Sequence, residues 1–139
     1  MPPSNAALLL AASALIVLAL GLVHLLYTFS GDKFEPRDAA LKAGMQTGVL
    51  RLTRETTVWK AWIGFNASHS YGAILFGLVW GYLALAQPAF LLGSTFLLAL
   101  GGVLLVGYAH LAWRYWFSIP FRGMVLASAL YGIALLMLF

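Results

Sequence analysis

Cysteine is absent from this chain of 139 residues, which excludes disulfides, thiolate metal sites, iron–sulfur clusters and cysteine nucleophiles. Charge is nearly as scarce: 9% of residues are charged, and only four are acidic. A soluble domain carries about a quarter of its residues as charges. Too little polar surface remains here to cover a globule of this size. What is abundant is apolar: 63% of residues are hydrophobic and the mean hydropathy is +0.93. These proportions exclude an ordinary water-soluble fold, a disordered chain, a coiled coil and a separate soluble catalytic domain. The formal net charge of +4 does not point to nucleic acid, because the basic residues are few, interleaved with acids and set beside apolar runs.

The apolar residues fall into four stretches: from about Ala6 to Phe29, from Trp59 to Gln87 and Pro88, from Ala89 to about Phe117, and from about Phe121 to Phe139. At about 1.5 Å per residue each covers a hydrocarbon core of roughly 30 Å. The second and third are longer than needed and must tilt or project. Lipid admits only helices or closed barrels, and the period-two alternation of a barrel strand is missing. The expected fold is therefore all-α, a four-transmembrane-helix bundle forming a single integral membrane domain over 1–139. No Lys or Arg precedes Lys33, so the first stretch lacks the positive start of a signal peptide and reads as a retained span.

Asp32, Lys33, Glu35, Arg37, Asp38, Lys42, Arg51, Arg54, Glu55 and Lys60 lie in or beside the connection between spans one and two, and Arg114 and Arg122 flank the connection between spans three and four. The tail MPPSN and the turn Ala86-Gln87-Pro88-Ala89 carry no charge. The positive-inside rule then puts the charged loops in the cytoplasm and both termini outside. Within the long connection, Pro36 can open a helix with Asp38 in its first turn. Leu41, Met45, Val49 and Leu52 recur on one face, with Lys42, Gln46, Arg51 and Arg54 off it. This predicts a short interfacial amphipathic helix between helices 1 and 2, its basic residues near anionic headgroups. A cytosolic extension of span two is the other reading. Gly44 and Gly48 lower the helix propensity of either.

Polar residues inside a span cost energy and usually face the interior or a wet cavity. His24, His69 and His110 stand on spans one, two and three, all in the half of the spans nearer the charged loops. On span two, Glu55, Trp59, Trp62, Asn66 and His69 step by four, three, four and three positions, which makes one stripe along a helix face, bordered by Ser70. His110 and Arg114 are one turn apart on span three, and Tyr27 and Thr28 follow His24 by about one turn. If these faces turn inward they enclose a pocket whose candidate ligand residues are His24, Asn66, His69, His110, Arg114, Trp62, Tyr27 and Ser70. Each has a plainer role: a histidine as an interhelix staple, Arg114 snorkelling to headgroups, the tryptophans as an interfacial belt. Gly64, Ser68 and Gly72, and likewise Ala73, Gly77 and Gly81, repeat every four positions, the spacing that lets helices approach closely.

This inventory fits a protein that binds a lipid or small amphiphile, with acid–base chemistry by an imidazole and Asn66 and Arg114 holding a polar head. A non-catalytic accessory subunit of a larger membrane complex, or a homo-oligomer, is a second reading. Haem b or a metal held by His24, His69 and His110 is a third, although no HExxH-type pairing is present. Conduction is disfavoured by the almost purely aliphatic outer half. The stretches WKAWIGFNASHSYGAILFGL and YAHLAWRYWFSIP resemble an uncharacterised group of small bacterial four-span membrane proteins. The resemblance implies the topology and a bacterial source, and carries no functional residue.

Overall fold

The structure, a computed structural model, describes residues 4–138. Met1–Pro3 of the uncharged tail and Phe139, the expected end of the fourth span, lie outside them. Six helices follow in order: α1 Asn5–Phe29, α2 Ala39–Thr47, α3 Val58–Ala86, α4 Pro88–Gly93, α5 Thr95–Tyr115 and α6 Ser118–Leu136. Among the described residues there is no strand, only an isolated antiparallel bridge between Val49 and Thr57. Helices α1, α3, α5 and α6 are long and apolar enough to cross a membrane, as four of the expected spans require.

The expected boundaries shift in three places. The third apolar stretch is broken: Gln87 precedes α4, Pro88 takes its first turn, and the chain restarts at Ser94. The Ser94 hydroxyl accepts from the Leu97 N–H at 3.3 Å, a side-chain cap that makes a new helix start preferable to continuation. The helix predicted after Pro36 begins later and is shorter. Asp38 is its N-cap, accepting from the N–H groups of Ala40 and Leu41, and Gly48 ends it. Val49 and Leu52 therefore lie beyond α2 rather than on its face. Finally, α3 begins at Val58, with the Thr57 hydroxyl accepting from the Lys60 N–H at 3.2 Å. Glu55 thus falls outside the helix that was to carry it in the stripe.

The chain divides into two compact units, one of Met1–Leu20 with Ala73–Phe139 and one of Gly21–Gly72. The first holds the apolar core: Leu10, Ala14 and Val17 of α1, Phe76, Trp80 and Ala84 of α3, Leu91 of α4, Leu105 of α5, and Met124, Ala127 and Tyr131 of α6. The small residues decide the approach. A Cβ on Gly77 would lie 2.5 Å from the Leu18 Cβ and 2.9 Å from the Ala14 carbonyl oxygen, so α1 and α3 touch backbone to backbone there. Gly64 has open space around it and Ser68 is exposed. Of the two predicted small-residue repeats, the one through Gly77 does the packing within this unit. Polar staples complete it. The Ser13 hydroxyl donates to the Ala127 carbonyl at 2.8 Å, and the Tyr131 hydroxyl to the Leu98 carbonyl at 2.9 Å. In lipid such bonds contribute about 0.6 kcal/mol each.

Candidate functional site

The Gly21–Gly72 unit contains the end of α1, the polar connection, α2 and the start of α3. The end of α1 is shaped by two local devices. The Thr28 hydroxyl, on a buried residue, donates back to the His24 carbonyl at 2.8 Å. Two residues after the helix, Gly31 takes φ +87°, a left-handed conformation that favours glycine and turns the chain off a helix end. The connection then folds back. Phe34 lies on the His24 imidazole, ring centroids 4.5 Å apart and tilted by 34°, and Tyr27 meets Phe34 edge-on at 6.5 Å. The Trp62 indole N–H donates to the Phe34 carbonyl at 3.0 Å and holds the fold-back to α3. Further along, Lys42 pairs with Glu35 at 2.6 Å and sits 5.7 Å from the centre of the Trp59 ring.

The centre of the site is a hydrogen-bonded chain between α1 and α3. The Asn66 side-chain nitrogen donates to the Trp62 carbonyl one turn earlier, at 2.8 Å. That fixes which end of the amide is which. The remaining end, Oδ1, stands 3.0 Å from the Nε2 of His24. A carbonyl oxygen only accepts, so Nε2 carries the proton. In neutral His24 the other nitrogen, Nδ1, therefore keeps its lone pair. The Ser70 hydroxyl, fully buried, donates to the Asn66 backbone carbonyl at 2.9 Å and anchors the turn from below. His69 stands edge-on to His24, ring centroids 5.2 Å apart at 67°.

Of the eight sequence candidates, His24, Asn66, His69, Trp62, Tyr27 and Ser70 share this unit. His24, Asn66 and His69 meet directly. Trp62 contributes through its carbonyl and its indole N–H, Tyr27 through Phe34, and Ser70 through its hydroxyl on the Asn66 backbone carbonyl. His110 and Arg114 belong to the other unit, where both are exposed and His110 lies 5.9 Å from the Trp113 ring. Within the Gly21–Gly72 unit the imidazoles of His24 and His69 meet. Among the described residues, no three or more His, Asp or Glu side chains are grouped to hold a metal ion. The residue that sequence reasoning missed is Phe34. Its signal was an aromatic side chain three positions past a glycine in an otherwise charged loop.

Chemically, the pair offers a hydrogen-bond donor-acceptor surface with one oriented basic nitrogen. An imidazole whose tautomer is set by a side-chain amide can accept a proton or bind a donor in a fixed direction. The aromatic rings of Phe34, Tyr27 and Trp62 give the cluster an apolar flank. The chain defines an all-helical protein with four helices able to cross a membrane and a histidine–asparagine cluster near the end of the first. Comparison with protein-family models, curated proteins and solved structures found no match in any of the three.

Proposed function

We propose that this chain is an integral membrane protein that binds a lipid or small amphiphile at His24, Asn66 and His69, with His24 as the proton-accepting group. The observation that carries the reading is the orientation of one imidazole by Asn66, whose amide is itself committed to the Trp62 carbonyl. A histidine serving only as a staple between helices needs one partner. Here the partner is in turn held in place, and a second imidazole stands beside the first, the layered support that a functional side chain requires.

In this reading the four long helices form a bundle in the inner membrane of a bacterium of the group that the sequence resembles. The charged connection is cytoplasmic, and both termini are outside. The connection that carries α2 lies in the interface: no residue of α2 is buried, and Leu41 within it and Val49 and Leu52 after it are exposed near the basic residues Arg51, Arg54 and Lys60, a composition suited to a headgroup layer. The site then opens on the cytoplasmic half.

The test is native purification in mild detergent followed by mass spectrometry of retained small molecules and lipids. Asn66→Ala and His69→Leu should each lower the retained amphiphile about tenfold, the effect of about one hydrogen bond to a polar head. Identical retention in both variants, with both still folded, would remove the proposal.

A further inference from the structure

The unit formed by Met1–Leu20 and Ala73–Phe139 has an unbalanced charge inventory. Its only charged side chains by sequence are Arg114 and Arg122, and every Asp and Glu of the chain lies between Asp32 and Glu55. Arg114 is in the last turn of α5 and Arg122 lies five positions into α6. The two helices are joined by Trp116 and Phe117 alone, so both guanidinium groups lie at the same end of one helical hairpin.

The pairing of α5 with α6 brings a third group to that level. The Tyr131 hydroxyl reaches the Leu98 carbonyl, and Gly101 is packed against the same tyrosine. These contacts pair α5 with α6 as an antiparallel hairpin, so Arg122, in the second turn of α6, lies toward the same end as the last two turns of α5. His110 and Arg114 are themselves four positions apart, one above the other on α5. All three are exposed. Around them Trp113, Tyr115 and Phe117 are exposed as well, the aromatic composition of a headgroup layer.

We propose that His110, Arg114 and Arg122 form a docking site for the phosphate of an anionic phospholipid headgroup. The reasoning is charge complementarity at a known depth. In the membrane reading, a hairpin of two membrane-length helices with a two-residue connection ends at a bilayer face, and its unit contributes two arginines and no Asp or Glu side chain. A phosphodiester is the anion present at that level, and its two unesterified oxygens match the paired N–H groups of a guanidinium. Trp113, Tyr115 and Phe117 pack on the glycerol and the upper acyl chain.

The test uses the full chain in nanodiscs of phosphatidylcholine with a rising fraction of phosphatidylglycerol, read by mass spectrometry of the lipids retained on release into mild detergent. The wild type should retain phosphatidylglycerol over phosphatidylcholine, and the preference should fall about thirtyfold in the double variant Arg114→Gln, Arg122→Gln, from the attraction of each arginine to an anionic surface. Arg114→Lys with Arg122→Lys should restore most of it. The wild-type preference should also weaken as ionic strength rises, a measurement that needs no variant. Undiminished preference in the double glutamine variant, or a salt-independent one, would overturn the proposal. Equal displacement by inorganic phosphate would assign the arginines to a soluble anion. An acidic protein co-purifying in place of the lipid would assign them to a partner. Either result overturns the lipid site.

Discussion

Asn66→Ala removes the oxygen that faces His24, and the structure fixes what should follow. In the native protein, moving the His24 proton from Nε2 to Nδ1 would set a lone pair against Asn66 Oδ1. The amide could turn to donate instead, but its nitrogen would then leave the Trp62 carbonyl at 2.8 Å. Either way one hydrogen bond is lost, a net cost of about 1–1.5 kcal/mol, equivalent to about a five- to tenfold change in the tautomer ratio. The ratio of Nε2–H to Nδ1–H in neutral His24 should fall by that factor in Asn66→Ala. Long-range proton–nitrogen NMR of histidine-labelled protein in detergent, recorded at alkaline pH, reads both tautomers directly. Ser70→Ala is the control: its hydroxyl bonds the Asn66 backbone carbonyl and not the side-chain amide, so the ratio should stay as in the wild type. A wild-type His24 protonated on Nδ1, or a ratio indifferent to Asn66→Ala, would refute the orientation and the functional reading built on it.

Three further outcomes follow from the packing. Gly77→Ala should destabilise the protein by about 1–3 kcal/mol, since the new Cβ would meet α1 backbone, whereas Gly64→Ala, in open space, should be neutral or stabilising by up to about 1 kcal/mol; thermal unfolding in one detergent compares them, and equal effects would contradict the described approach of α1 and α3. Trp62→Phe keeps an aromatic ring but loses the N–H that holds the Phe34 carbonyl, so hydrogen–deuterium exchange at the His24 ring carbon should quicken by about fivefold, the effect of one net hydrogen bond. Ser94→Ala removes the cap that starts α5 and should cost about 0.5–2 kcal/mol in the same unfolding assay, with no change in the His24 tautomer ratio.

The long helices were legible because membrane length and hydropathy are properties of a run of residues, and they tolerate errors of a turn at either end. What was not legible depended on single atoms. The break at Ser94 arises because one hydroxyl offers the Leu97 N–H a partner, which a hydropathy window averages away. The start of α2 moved to Ala39 because Asp38 is worth more as a cap than as a first-turn charge. Glu55 had the right spacing for the stripe, but spacing has meaning only inside a helix, and Thr57 sets the start of α3 two residues later.

The same distinction applies to the histidines: His24 and His69 meet within the Gly21–Gly72 unit, and His110 belongs to the other unit. Counting residues from a span's end gives an expected depth, and that count is what grouped His24, His69 and His110. Whether two side chains meet also depends on the rotation of each helix about its axis and on which helix is its neighbour. Span two carried a second constraint on rotation, the stripe through Trp62, Asn66 and His69, and His24 had Thr28 one turn away; those residues were placed together. Span three supplied only His110 and Arg114, four apart, which gives a line along the helix without saying what it faces. Phe34 escaped for the opposite reason: it lies on no helix, so no periodicity could orient it. It is brought to His24 by a left-handed glycine and held by an indole N–H twenty-eight residues away, and neither interaction is written in a pattern of apolar residues.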